Sequence, residues 1–370
     1  MKRIIKNKFS FDWILVIALF FLCFLGCIFI YSASNYVAEK DYGNKFFFLK
    51  KQLIGYLIGT IAFVLASLFD YKRLKKLSLS LFIISLVLLF LVLTPLGKEA
   101  YGAKRWIGFG GFTIQPSEIT KLCFVIFISA YFSEDLLRIK TFKGLIPVLV
   151  AGGITCLLII AAPNMSVTLC VGFIMMAMLF IGGAKIKHLA LICLPIILII
   201  PVLIALEPYR LKRFIAFIDP WASPKGEGYQ LIQSFYALGA GGITGLGLGE
   251  SRQKILYMPE PHNDFIFSII GEELGLVGCF FIIGLFLFLI WRGIRVAMKA
   301  KDTYGKLLAV GITSIIAVQA IINIAVVTGS MPVTGVPMPF ISYGGTSLVI
   351  NLMAMGILLN ISSQVDKNVM

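Results

Sequence analysis

Unbroken apolar runs separated by short basic turns make up most of the chain, and one polar stretch, 207–264, interrupts them. The runs are continuous rather than alternating, so they read as helices and not as barrel strands. At about 20 residues per crossing, ten transmembrane helices are predicted over 11–31, 50–69, 77–95, 117–133, 144–162, 165–183, 189–206, 265–290, 307–329 and 342–361. The expected fold is an all-α polytopic membrane protein. It is one integral membrane domain, 1–370, with about ten transmembrane helices and one long extracellular loop, 207–264, between helices 7 and 8.

Composition agrees. The chain is 59% hydrophobic and 14% charged, against about 25% charged in soluble domains. The net charge of +15 reads first as membrane orientation. Nineteen Lys and Arg fall on the side of the termini and thirteen opposite, six of those in the long loop, where charges count less. Both termini are therefore expected in the cytoplasm and 207–264 outside. No basic module interleaved with aromatics points to nucleic acid. Basic side chains can also meet a diphosphate or anionic lipid. The seven cysteines fall in predicted spans without CxxC spacing, as small buried apolar residues. The basic start, 1–8, precedes an apolar run too long for a cleaved signal, so a retained first helix is expected.

Polar chemistry gathers on the predicted outer side. The loop 96–116 carries Lys104, Arg105 and Trp106, where the Trp is either an interfacial anchor or an aromatic wall for a sugar. The fourth span opens Gln115-Pro116-Ser117-Glu118, with Lys121 three residues on. Glu118 and Lys121 share a helix face and can pair, and ionisable residues inside a span mark a functional site by default. After the ninth span, three prolines within 332–339 forbid a regular helix. Irregular backbone at that depth must be covered by protein or line a wet cavity.

The long loop reads in three parts. A basic, aromatic segment holds Arg210, Arg213 and Trp221. A short helix over 228–238 carries Gln230 and Gln233. The Gly-rich run 239–249 matches no nucleotide motif, which leaves a turn or a close backbone approach to substrate; Arg252 and Lys254 follow it. The loop then reaches Glu260-Pro261-His262-Asn263-Asp264 and enters the eighth span, which buries Glu272 and Glu273. Asp264 is either a helix N-cap, with its pKa held low by the dipole, or a general base at the lipid boundary. A metal set of Glu260, His262 and Asp264 is the weaker third reading.

Pro332-Val333-Thr334-Gly335 with Pro339-Phe340-Ile341-Ser342-Tyr343-Gly344-Gly345-Thr346-Ser347 resembles the C-terminal signature of the SEDS (shape, elongation, division and sporulation) family. Lys104 to Ile107, Gln115 to Glu118, Asp219-Pro220-Trp221 with Gly228-Tyr229-Gln230, and Pro259 to His262 with Asp264 to Phe267 agree in order. The Gly245 to Lys254 run and Gly345-Thr346-Ser347 look more like the FtsW/SpoVE branch than RodA. One departure is Asn263, where the family usually has Thr.

The resemblance implies a peptidoglycan glycosyltransferase that polymerises lipid II through β-1,4 links and releases undecaprenyl diphosphate. Its implied partner is a class B penicillin-binding transpeptidase, alongside other division or sporulation membrane proteins. The aspartate matching Asp264 is the proposed catalytic residue. Such chemistry needs a base for the acceptor hydroxyl and positive charge around the leaving diphosphate. Lys104, Arg105, Lys121, Arg210, Arg213, Arg252 and Lys254 are candidates for the charge, with Trp106, Glu118, Gln230, Glu260, His262, Glu272, Ser342 and Tyr343 as further substrate contacts. A divalent cation, Mg or Mn, can assist; no organic cofactor is expected. The rival readings are a lipid II flippase, a RodA-type elongation polymerase and a non-catalytic division scaffold.

Overall fold

The computed structural model describes residues 11–100, 103–109, 112–205, 208–255 and 257–365. It is a helical bundle. In chain order the helices are α1 (Trp13–Tyr42), α2 (Phe47–Leu68), α3 (Tyr71–Val92), α4 (Pro116–Glu134), α5 (Phe142–Ala161), α6 (Met165–Ile181), α7 (Ile186–Ala205), α8 (Pro208–Ile218), α9 (Tyr229–Gly241), α10 (Ile266–Lys299), α11 (Thr303–Val327) and α12 (Gly345–Ser363). Seven described helices, α1, α2, α3, α5, α10, α11 and α12, are long and apolar enough to cross a membrane. The apolar helices α4, α6 and α7 occupy the other predicted intervals. This is a multi-pass membrane protein.

One apolar core runs through the bundle, with Leu19 and Leu22 of α1, Phe124 of α4, Ile174 of α6, Ile312 of α11 and Leu352 of α12 among its buried members. Apolar burial alone does not hold helices together in lipid, so small residues that let backbones approach matter more. The α2–α12 contact shows this. A Cβ on Gly59 would lie 2.5 Å from Leu352, and one on Gly356 would lie 2.3 Å from the Phe63 carbonyl oxygen.

Two features depart from the sequence reading. The loop 96–116 contains a small antiparallel sheet of β1 (Gly97–Ala100), β2 (Ala103–Phe109) and β3 (Phe112–Ile114), in that order. Register sets Lys104 opposite Glu99 and Trp106 opposite Lys98. The sheet is tied to α12 through Thr346, whose Oγ1 accepts from the Gln115 N–H at 3.2 Å and donates to the Thr113 carbonyl at 3.1 Å.

The second is a break in α10. Gly275 has φ 66° and ψ −165°, which no helix accommodates. The Gly-rich run inserts there. The N–H groups of Leu246 and Gly247 donate to the carbonyls of Glu272 and Glu273 at 3.0 and 2.9 Å. The N–H groups of Leu276 and Val277 donate to the carbonyls of Gly242 and Ile243 at 2.9 and 3.2 Å. The backbone groups that the break frees are thereby satisfied by protein, as lipid requires. The run is a series of turns whose backbone closely approaches the chain's own helix, and no substrate approach is seen.

Candidate functional site

Asp264 stands at the lip of α10, yet it does not cap it. The N-cap is Phe265, and no side chain caps this helix. The Asp264 carboxylate makes no hydrogen bond among the described residues. Its backbone carbonyl is fixed instead: Asn323 Nδ2, from α11, donates to it at 2.8 Å and to the Val336 carbonyl at 2.9 Å. That clamp lays the proline-rich segment beside the acid, and a Cβ on Gly335 would sit 3.3 Å from Asp264 Oδ2. The Gly335 N–H in turn donates to Ser166 Oγ at 3.2 Å.

The electrostatics reverse the cap expectation. The Asp264 carboxyl is raised to about 7, first by burial and next by the Glu260 charge, while Arg213 and Arg105 pull it down. Its side chain keeps partial access to solvent. An uncapped, partly desolvated carboxylate in the field of a second carboxylate holds a proton more tightly than a capping one. Glu260 is itself in the left-handed region, φ 47°, a conformation that costs a non-glycine residue about 1 kcal/mol or more. Asn263 holds it there: Asn263 Nδ2 donates to Glu260 Oε2 at 2.6 Å and the Asn263 N–H to the Glu260 carbonyl at 3.0 Å.

Both guanidinium groups are anchored by main-chain carbonyls. Arg213, in α8, donates to the Val333 carbonyl at 3.2 Å and pairs with Glu227 at 3.4 Å. Arg105, in β2, donates to the Pro163 carbonyl. Asp264, Glu260, Arg105 and Arg213 thus form one charged rim.

Next to the rim lies an aromatic wall. The buried ring of His262 packs 4.1 Å from Phe48 and 5.5 Å from Tyr343, centroid to centroid. Burial lowers the His262 pKa to about 4, so the ring is neutral. The Tyr343 N–H donates to the His262 carbonyl at 2.9 Å. Ser342 is buried, and its Oγ accepts from the Met338 N–H at 2.9 Å. The three-ligand metal reading is not supported here, since His262 is held among rings and no group of three His, Cys, Asp or Glu is gathered among the described residues.

Lys254 is buried against Glu273, 2.7 Å away, with Ser32 Oγ at 3.0 Å from its Nζ. Its charge is neutralised within the fold, which corrects the reading of it as a phosphate contact. Glu272 faces the loop rather than a cavity; it accepts from the Arg252 N–H at 2.9 Å and from the Ser251 hydroxyl. Although adjacent, Glu272 and Glu273 both serve the segment 251–254, because the loop wraps over their turn. Glu118 and Lys121 form a buried pair at 2.8 Å in α4. Lys104 and Arg252 are exposed, and Trp106 is half-buried in β2. Gln230 lines a separate cleft with α8. Arg210 belongs to α8, and its side chain lies outside the described part. The sequence reading missed Asn323 and Ser166. A polar residue inside an apolar span was the available signal for Asn323; nothing marked Ser166.

The chain matches the FtsW/RodA/SpoVE family model, described as cell cycle protein, over residues 13–367. It is 45% identical to stage V sporulation protein E of Bacillus subtilis, covering 96% of this chain and 98% of that one. It is 41% identical to a probable peptidoglycan glycosyltransferase FtsW of Trichlorobacter lovleyi, over 98% and 97%. A solved structure described as structural coordination of polymerization and crosslinking by a peptidoglycan synthase complex superposes with a TM-score of 0.80 at 27% identity, over 96% and 98%. Rod shape determining protein RodA of Thermus thermophilus shares the fold, with a TM-score of 0.69. The chain belongs to the FtsW/RodA/SpoVE family, the SEDS proteins, and is of the FtsW/SpoVE type.

Proposed function

We propose that Asp264 is the general base of a peptidoglycan glycosyltransferase that polymerises lipid II in division or sporulation wall synthesis. The observation that carries this is the carboxyl raised to about 7 within a rim that also holds Glu260, Arg105 and Arg213. A base tuned near ambient pH removes a proton most effectively. In the step, Asp264 takes the proton of the acceptor sugar's 4-hydroxyl. That oxygen attacks the donor's anomeric carbon, and the carbon–oxygen bond to the diphosphate breaks with its electron pair. The diphosphate leaves on the prenyl chain, its charge met by Arg105 and Arg213. The neutral, ring-lined wall of Phe48, His262 and Tyr343 suits the face of a sugar.

Among the described residues no set of three His, Cys, Asp or Glu is gathered for a divalent cation, Mg or Mn; with Asp264 acting as base, Glu260 is the rim carboxylate that would offer such an ion an oxygen. When bound, such an ion would screen the diphosphate charge. The remaining positions stand as expectations of orientation: cytoplasmic termini, with the rim on the outer face where lipid-linked sugars are joined. A class B penicillin-binding transpeptidase is the partner, supported by the solved relative's place in a complex that polymerises and crosslinks.

The test is polymerisation of lipid II by the purified protein with its transpeptidase. Asp264→Asn is expected to abolish polymer. Full-length glycan from that variant would overturn the assignment. Lipid II scrambling in proteoliposomes that survives the substitution would favour a flippase.

A further inference from the structure

The cleft between α8 and α9 has a volume of about 610 Å³, within the range of about 300–1,000 Å³ for clefts that take small ligands. Lys212, Ile215 and Ala216 of α8 form one wall. Lys225, Glu227, Tyr229 and Gln230 form the other, with Pro259 at the end. It shares two partitions with the charged rim. On α8, Lys212 lines the cleft while its neighbour Arg213 reaches the Asp264 field. At the loop's end, Pro259 lines the cleft while Glu260 belongs to the rim.

The charge of the cleft is one-sided. Glu227 is paired with Arg213 across the partition. Lys212 and Lys225 are exposed and make no ion pair among the described residues. The cleft therefore presents two ammonium groups, with Ile215 and Ala216 beside Lys212 and the Tyr229 ring and the Gln230 amide beside Lys225. This chemistry suits a short peptide bearing carboxylates.

We infer that the α8–α9 cleft binds the peptide carried by the lipid-linked disaccharide, with Lys212 and Lys225 meeting its carboxylates. The inference rests on the glycosyltransferase reading above. The diphosphate is a poorer occupant. It is bonded to the anomeric carbon under attack, so it must lie at the rim, on the other side of the Arg213–Glu227 pair. The peptide branches from the sugar away from both reacting atoms and can pass over that pair.

The experiment compares lipid II with the same lipid-linked disaccharide lacking its peptide, using the full chain with its transpeptidase. The diphosphate is common to both, so only peptide contacts change the ratio of their kcat/KM values. The wild type is expected to favour lipid II by about three- to tenfold, the scale of two partly exposed ion pairs. Lys225→Glu and Lys212→Glu are expected to bring the ratio towards one, chiefly by raising KM for lipid II. An unchanged ratio in both variants, or no wild-type preference, would overturn the inference. Should the wild type form no polymer, the glycosyltransferase reading falls. Binding of fluorescent lipid II then decides the cleft alone, by whether peptide-free lipid competes as well as the full molecule. Circular dichroism and detergent melting of the charge-reversal variants separate loss of fold from loss of contact.

Discussion

Asn323 Nδ2 lies 2.8 Å from the Asp264 carbonyl oxygen, so a buried amide near the end of α11 fixes the backbone of the proposed base. The same nitrogen holds Val336, which couples the acid to the segment at its side. Asn323→Leu leaves the buried Val336 carbonyl unpaired, at about 1–3 kcal/mol, and frees the partly buried Asp264 carbonyl as well. The expected outcome is a kcat lowered at least tenfold with KM changed less, and a lower melting temperature. A variant with wild-type kcat would show that Asp264 needs no such fixing.

The raised Asp264 carboxyl gives a pH dependence with a definite sign. A base must be ionised to act, so kcat/KM is expected to rise with pH and level off above about 7. Glu260 raises that pKa, so Glu260→Gln should move the acid limb to lower pH. A limb that stays in place, or moves up, would show that Glu260 does not act on Asp264 through its charge.

Stability should respond in the opposite sense. The carboxyl is raised from 3.8 to about 7 on folding, so ionisation favours the unfolded chain. The cost begins near pH 3.8 and is complete above about 7. Asp264→Asn removes it. The inactive variant is expected to melt higher than wild type, and by more at pH 8 than at pH 5. An equal or smaller gap at pH 8 would contradict the shift.

The loop's lock can be tested through charge. Lys254→Met strands the buried Glu273, and breaking a buried pair from one side costs about 3–5 kcal/mol. Adding Glu273→Gln is expected to recover much of that loss in thermal melts. If the double variant is no more stable than Lys254→Met, the pair at 2.7 Å is not what the lysine contributes.

Much of the bundle was legible because apolar length is a local signal. The long apolar helices, the helix over 228–238 and the irregular backbone of 332–339 needed only periodicity and proline. Asp264 was legible as a polar residue at a helix mouth, but its environment was not. Whether a carboxylate caps a helix depends on one residue of register, and here Phe265 takes that position. Lys254 illustrates a second limit. Its partner Glu273 lies 19 residues away on a helix that the loop folds back upon, so a buried lysine and a phosphate-binding one look alike in sequence. The sheet over 97–114 escaped because its strands are short and glycine-interrupted. Asn323 was visible as a polar residue in an apolar span, yet only folding brings it under Asp264.

The insertion at the break in α10 has a consequence for cooperativity. Gly245, at φ 81°, would carry a Cβ 2.2 Å from the Glu273 carbonyl oxygen, so neither strand of that junction can shift without the other. The amide protons of Leu246, Gly247, Leu276 and Val277 should therefore exchange with solvent deuterium as one unit, although two of them belong to a loop and two to a membrane helix. Gly245→Ala should release all four together. Gly239→Ala, where a Cβ meets nothing within 4 Å, should release none.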